Sequence, residues 1–84
     1  MNKTALKRAV TATIRAELAE RWRLPMDEYK AAATIDESYR RDTGTVDLAV
    51  TFTHRTTEAT IEIENIIADG NTGSILESDY YRLA

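Results

Sequence analysis

The sequence predicts a two-layer α+β fold, one long N-terminal helix packed on a three- to four-stranded antiparallel meander sheet. Three observations carry this expectation. Over residues 3–22 apolar side chains recur at every fourth position, a helical period. Beyond residue 30 the period drops to two, as a half-buried strand requires. Turn-forming clusters, DTG at 42–44 and DGNTG at 69–73, separate the period-two runs.

The helix is the first element. Leu6, Val10, Ile14, Leu18 and Trp22 form one row along it. Asn2 or Thr4 can cap its start, since either side-chain oxygen can accept an orphan backbone N–H. Pro25 ends it, because proline cannot continue the ladder and drives Leu24 toward extended geometry. A second face carries Ala5, Ala9, Ala12, Ala16 and Ala19 at 4-3-4-3 spacing. Side chains this small allow a close helix–helix approach, as in a homodimer. Alanine is also the best helix former and fills neutral positions for that reason alone.

Residues 25–30 fit either a helical turn or a loop. In the first strand Ala31, Ala33, Ile35 and Tyr39 alternate with Thr34, Asp36 and Ser38. Gly44 then falls where a three-residue hairpin loop needs a left-handed residue. Val46, Leu48, Val50 and Phe52 mark the clearest strand, with Asp47, Thr51 and Thr53 facing away. In the third strand Ala59, Ile61, Ile63 and Ile67 are expected inward, opposite Glu58, Thr60, Glu62 and Glu64. Residues 74–77 can add a short fourth strand, and the tail SDYYRLA can form a helical turn or pack Tyr80, Tyr81 and Leu83 on an edge.

Composition narrows the possibilities. The 84 residues make a single domain, residues 1–84, with no room for a second core. A chain this small buries only about 60–65% of its unfolded surface, so its stability margin is modest. Without cysteine, neither a disulfide nor a thiolate zinc site reinforces it, which suits a reducing compartment. No signal-peptide pattern and no membrane-length apolar run is visible, so the expectation is a cytoplasmic protein without membrane contact. Residues 1–30 hold seven basic and four acidic groups, and residues 31–84 four basic and ten acidic ones. The chain is thus a charge dipole around a net −3.

Motifs for chemistry are sparse. Glu62 and Glu64 share one strand face, where a pair of carboxylates could divide acid and base roles. General acid catalysis needs a carboxyl kept protonated by burial, whereas alternation with isoleucines puts these two on the wet side. Asp69 and Asn71 begin like a calcium loop. Position five, however, is Gly73, position six is Ser74 and position twelve is Tyr80, so the ligand pattern fails. His54 is the only histidine and reads as a strand-end residue. Ser38, Ser74 and Ser78 lie in no nucleophile-elbow context, and three glycines form no phosphate cradle. No enzyme, cofactor or metal is expected. Lys7, Arg8 and Arg15 cluster on the helix and could meet phosphates, but the acidic balance and pI near 5.1 disfavour nucleic acid.

The run ADGNTGSIL resembles the last hairpin of PepSY domains, with Asp69, Thr72, Gly73, Ile75 and Leu76 in the positions of a D-x-x-T-G-x-(I/V)-(I/L) turn. The resemblance implies the same helix-then-meander order and no function. The functional expectation comes from charge. Glu58, Glu62, Glu64, Asp47 and Asp36 would form an acidic sheet face suited to a basic groove on a protein partner. That points to a small binding module; inhibition of the partner is expected only by analogy of size and plainness with phage and mobile-element inhibitors such as anti-CRISPR proteins, or with immunity proteins. Two alternatives are a homo-oligomer joined through the alanine face and a nucleic-acid module using the basic helix.

Overall fold

The computed structural model describes residues 1–36 and 44–83, with side chains as far as Ser78. Helix α1 (Lys3–Arg21) leads through a short 3-10 turn (Met26–Glu28) into β1 (Tyr29–Ile35), β2 (Thr45–His54), β3 (Thr60–Asp69) and β4 (Ile75–Leu83). The strands form one antiparallel sheet of four in the order β1-β2-β3-β4. This is the expected α+β meander. No helix among the described residues is long and apolar enough to cross a membrane.

Asn2 is the helix cap, its side chain accepting from the Ala5 N–H at 2.7 Å. Leu6, Val10, Ile14 and Leu18 are buried as their period predicts. Trp22, expected as the next member of that row, is instead half exposed. The helix stops before it: Arg23 takes a left-handed φ of +55°, and the N–H groups of Trp22 and Leu24 both donate to the Leu18 carbonyl. That reversal turns the chain off the helix axis before the row can continue. Leu24 then packs against the core and Met26 enters it fully, a core residue that no period reveals.

The inner sheet face carries Leu48, Val50, Phe52, Ile61 and Ile63, all buried under α1. Ile67 does not follow them. Leu48 pairs with Ile66 and Val50 with Ile63, so Ala49 faces both Glu64 and Asn65, a bulge with Asn65 at φ +53°. One extra residue inverts the alternation beyond it. Ile66 and Ala68 therefore enter the core, and Ile67 turns to the outer face, where it is half-buried. Nor does Ala59 lie on a strand: it belongs with Glu58 to the loop before β3 and is exposed.

The fourth strand runs to Leu83, well beyond the short segment expected, and replaces a helical tail. Gly44 is left-handed as anticipated, with φ +75°. Ser38, Tyr39 and the start of the DTG turn fall outside the described residues, as do the side chains of Tyr80, Tyr81 and Leu83. The helix lies across the sheet with its N-terminal half against the β3–β4 loop. A Cβ on Gly73 would stand 2.9 Å from the Ala9 Cβ and 3.8 Å from Leu6 Cδ1. Part of the alanine face is thus covered by the chain itself.

Candidate functional site

The side of the sheet away from α1 presents threonines and acids. Odd-numbered β2 residues point there, which sets Asp47, Ala49, Thr51 and Thr53 in one line. Asp36 follows β1 directly, its N–H donating to the Asp47 carbonyl at 2.9 Å, so the two residues are register partners. On β3, Glu62 pairs with Thr51 and Ile67 with Asp47. A cleft of about 320 Å³ opens on this side, and its lining includes Asp36, Asp47, Glu64, Ala49 and Ile67. Among the residues expected to form an acidic face, Asp36, Asp47 and Glu64 meet at this cleft. Glu62 lies one register step along the same strand.

Glu58 is separate from them. It sits in the loop between β2 and β3 with φ +63°, its N–H bonded to the His54 carbonyl at 3.1 Å. Its side chain projects from a hairpin end and not from the sheet face, because four residues are needed to reverse the chain between His54 and Ala59. Ile67 and Asn65 join the site in its place, and alternation alone hides both. The adjacent isoleucines in ENII are the one sequence signal of the break, since a regular strand with one wet face does not bury at consecutive positions.

Among the described residues no three His, Cys, Asp or Glu side chains group closely enough to hold a metal ion. His54 Nδ1 accepts the N–H groups of Thr56 and Thr57, both at 3.1 Å, which assigns the neutral ring's proton to Nε2. Its ring meets Tyr29 edge-on, with centroids 5.0 Å apart. The imidazole holds a turn.

A second surface lies between α1 and β1. Lys7, Arg8, Thr11, Ala12, Arg15, Ala31 and Ala33 line a groove of about 360 Å³. The basic trio is divided there by role. Arg15 Nη1 donates to the carbonyls of Met26 and of Tyr29, the latter at 3.1 Å, and its guanidinium lies over the Phe52 ring at 5.3 Å. Arg15 therefore ties the helix to the segment entering β1. Lys7 and Arg8 line the groove beside it.

The alanine stripe divides too. Ala5 and Ala9 are half-buried toward the β3–β4 loop, whereas Ala12, Ala16 and Ala19 are exposed. Glu17 and Arg21 pair at 3.1 Å beside them, an exposed i,i+4 contact of small energetic weight. Compared with protein-family models, curated proteins and solved structures, the chain finds no match, and the turn from Asp69 to Leu76 carries no family assignment.

Proposed function

We propose that the chain is a small non-catalytic binding module that docks the acidic side of its sheet into a basic groove of a protein partner and thereby inhibits it. The observation that carries the reading is the cleft where Asp36, Asp47 and Glu64 surround the apolar side chains of Ala49 and Ile67. An apolar centre supplies burial on binding, and flanking charges of one sign speed encounter and fix orientation. Glu62 extends the charged margin along β3. Size and lack of catalytic motifs suit an inhibitor of the phage or mobile-element type, such as an anti-CRISPR, or an immunity-type protein. A cysteine-free chain suits a cytoplasmic partner.

The test uses a partner captured from the native host and titrated against the wild-type chain. Glu62→Lys with Glu64→Lys, and separately Asp36→Lys, are expected to lower affinity at least about tenfold, with circular dichroism unchanged. Equal affinity in both variants would refute the reading.

A homo-oligomer joined through the helix is the second reading, favoured by the exposure of Ala12, Ala16 and Ala19. Light scattering after size exclusion distinguishes it, since a monomer at micromolar concentration is incompatible with obligate assembly. For nucleic acid, the tie of Arg15 to two backbone carbonyls leaves a weak cationic surface.

A further inference from the structure

β1 is an edge of the sheet, and its free side differs from that of β4. It pairs with β2 in unbroken register over all seven residues from Tyr29↔His54 to Ile35↔Leu48. The pairing of β4 with β3 shifts register repeatedly. A regular edge without proline or bulge is a template for another strand, a surface that natural proteins usually blunt. Among the described residues no segment pairs with the outer side of β1.

The hydrogen-bond parity of β1 identifies its outward groups. The Asp36 N–H reaches the Asp47 carbonyl, and the Arg55 N–H reaches the Glu28 carbonyl. In an antiparallel pair, bonded and non-bonded positions alternate. Even-numbered residues of β1 therefore bond to β2, and the N–H and C=O groups of Ala31, Ala33 and Ile35 point out from the edge. Tyr29 also points outward, but its carbonyl already accepts from Arg15.

These same odd residues turn their side chains toward the helix layer. Where β2 and β3 place leucine, valine, phenylalanine and isoleucine under α1, the middle of β1 places Ala31 and Ala33, with Tyr29 and Ile35 packed on the core at its two ends. The shortfall in volume leaves the groove between α1 and β1 open, roofed by Lys7, Arg8 and Thr11. A strand added to the β1 edge would set alternate side chains into this groove.

We infer that the β1 edge accepts an extended acidic segment of a partner protein by strand addition, backbone-bonded to Ala31 and Ala33, with alternate carboxylates entering the groove beneath Lys7 and Arg8. Charge chooses this occupant over a second copy of the chain. Antiparallel pairing of two β1 edges would set both helices on one side of a continuous sheet, with two sets of Lys7 and Arg8 converging on one groove. An acidic strand neutralises those cations and satisfies the edge at once. The edge meets the acidic cleft at Ile35, but the groove residues Lys7, Arg8, Ala31 and Ala33 lie outside that cleft, and the proposal does not depend on it.

The experiment follows backbone amides of the full 84-residue chain by NMR. The probe is a blocked heptapeptide alternating threonine and glutamate, with a threonine–lysine peptide as control. The acidic peptide is expected to shift the Ala31, Ala33 and Ile35 amides saturably and slow their hydrogen exchange. The lysine peptide does neither. Lys7→Glu with Arg8→Glu, both on the helix surface, is expected to weaken binding at least about tenfold and to invert the preference between the peptides. Ala33→Pro, which removes an outward N–H and no β1–β2 bond, should abolish binding. The double charge reversal keeps the test decisive if the proline disturbs the strand. Absence of shifts at millimolar peptide, or shifts confined to β4 or to Asp47, Ala49 and Glu64 of the acidic cleft with Ala31 and Ala33 unmoved, would overturn the proposal. So would slow exchange of these amides through self-association without peptide. Binding of a single-stranded oligonucleotide at Lys7 and Arg8 in place of the peptide, leaving the edge amides unprotected, would reassign the groove to phosphates.

Discussion

His54 and Asp69 occupy the same position in two copies of one loop. Each ends a strand and accepts, through its side chain, the N–H groups of the residues two and three positions on: Thr56 and Thr57 for His54, Asn71 and Thr72 for Asp69. The carbonyl of each accepts from the residue four on, Glu58 or Gly73, and both of those residues are left-handed. The correspondence extends to the threonines, since Thr57 Oγ1 accepts from the Ala59 N–H and Thr72 Oγ1 from the Ser74 N–H. A histidine and an aspartate thus cap equivalent turns, because imidazole Nδ1 and carboxylate Oδ1 each present a lone pair at similar reach from the backbone.

Replacing the imidazole tests this equivalence. His54→Asn keeps an acceptor at the same reach, loses only the ring contact with Tyr29, and should stay within about 1 kcal/mol of wild type. His54→Ala leaves two turn N–H groups to water and removes the contact with Tyr29, a loss of about 1–2 kcal/mol. Urea denaturation of the three proteins gives the comparison. Equal stability of the alanine and asparagine variants would show that the Nδ1 bonds contribute nothing.

The two left-handed positions should respond oppositely. Glu58→Gly relieves a side chain held at φ +63° and should stabilise by about 0.5–1 kcal/mol. Gly73→Ala incurs the same backbone cost and drives a Cβ to 2.9 Å from the Ala9 Cβ, so a loss of about 2–3 kcal/mol is expected. Thermal unfolding should therefore place Glu58→Gly above wild type and Gly73→Ala below it.

The bulge makes a prediction about neighbouring isoleucines. Ile66 is fully buried, so Ile66→Ala should cost about 3–4 kcal/mol. Ile67 lies on the outer side, and Ile67→Ala should cost about 1 kcal/mol or less while weakening partner binding. Reversal of that order in denaturant midpoints would mean that the strand keeps its alternation through Asn65.

Arg15 supplies the fourth test. Arg15→Met retains much of the side-chain volume but abandons the Met26 and Tyr29 carbonyls and the contact over Phe52. A loss of about 2 kcal/mol is expected, with faster exchange in the 3-10 turn. Lys7→Met, at the groove margin, should be nearly neutral. Similar stabilities for the two would remove Arg15 from its structural role.

Much of this architecture was legible from periodicity. Leu6, Val10, Ile14 and Leu18 repeat with the helical period, and Leu48, Val50 and Phe52 with that of a strand. Both sets are buried, because the side-chain period of each element sets which face meets the other layer. Trp22 and Ile67 departed from pattern for a different reason. Each lies beside a residue held left-handed, Arg23 just after the tryptophan and Asn65 two before the isoleucine, and neither is glycine. Asparagine tolerates this region better than most residues, but Arg23 carries no compositional mark of it. The acidic site was partly legible for the same reason: Asp36, Asp47 and Glu64 alternate correctly, while Glu58 belongs to a loop whose geometry depends on His54.

By itself the sequence determined the layers, the strand order and which side chains of the regular segments go inside, since these follow from local period and turn chemistry. Tertiary structure decided where that regularity breaks, that Arg15 is bound into the fold, and that Ala31 and Ala33 leave a basic groove beside an open edge. Those outcomes depend on what lies across the sheet or under the helix, and contacts between residues distant in the chain leave no periodic trace within it.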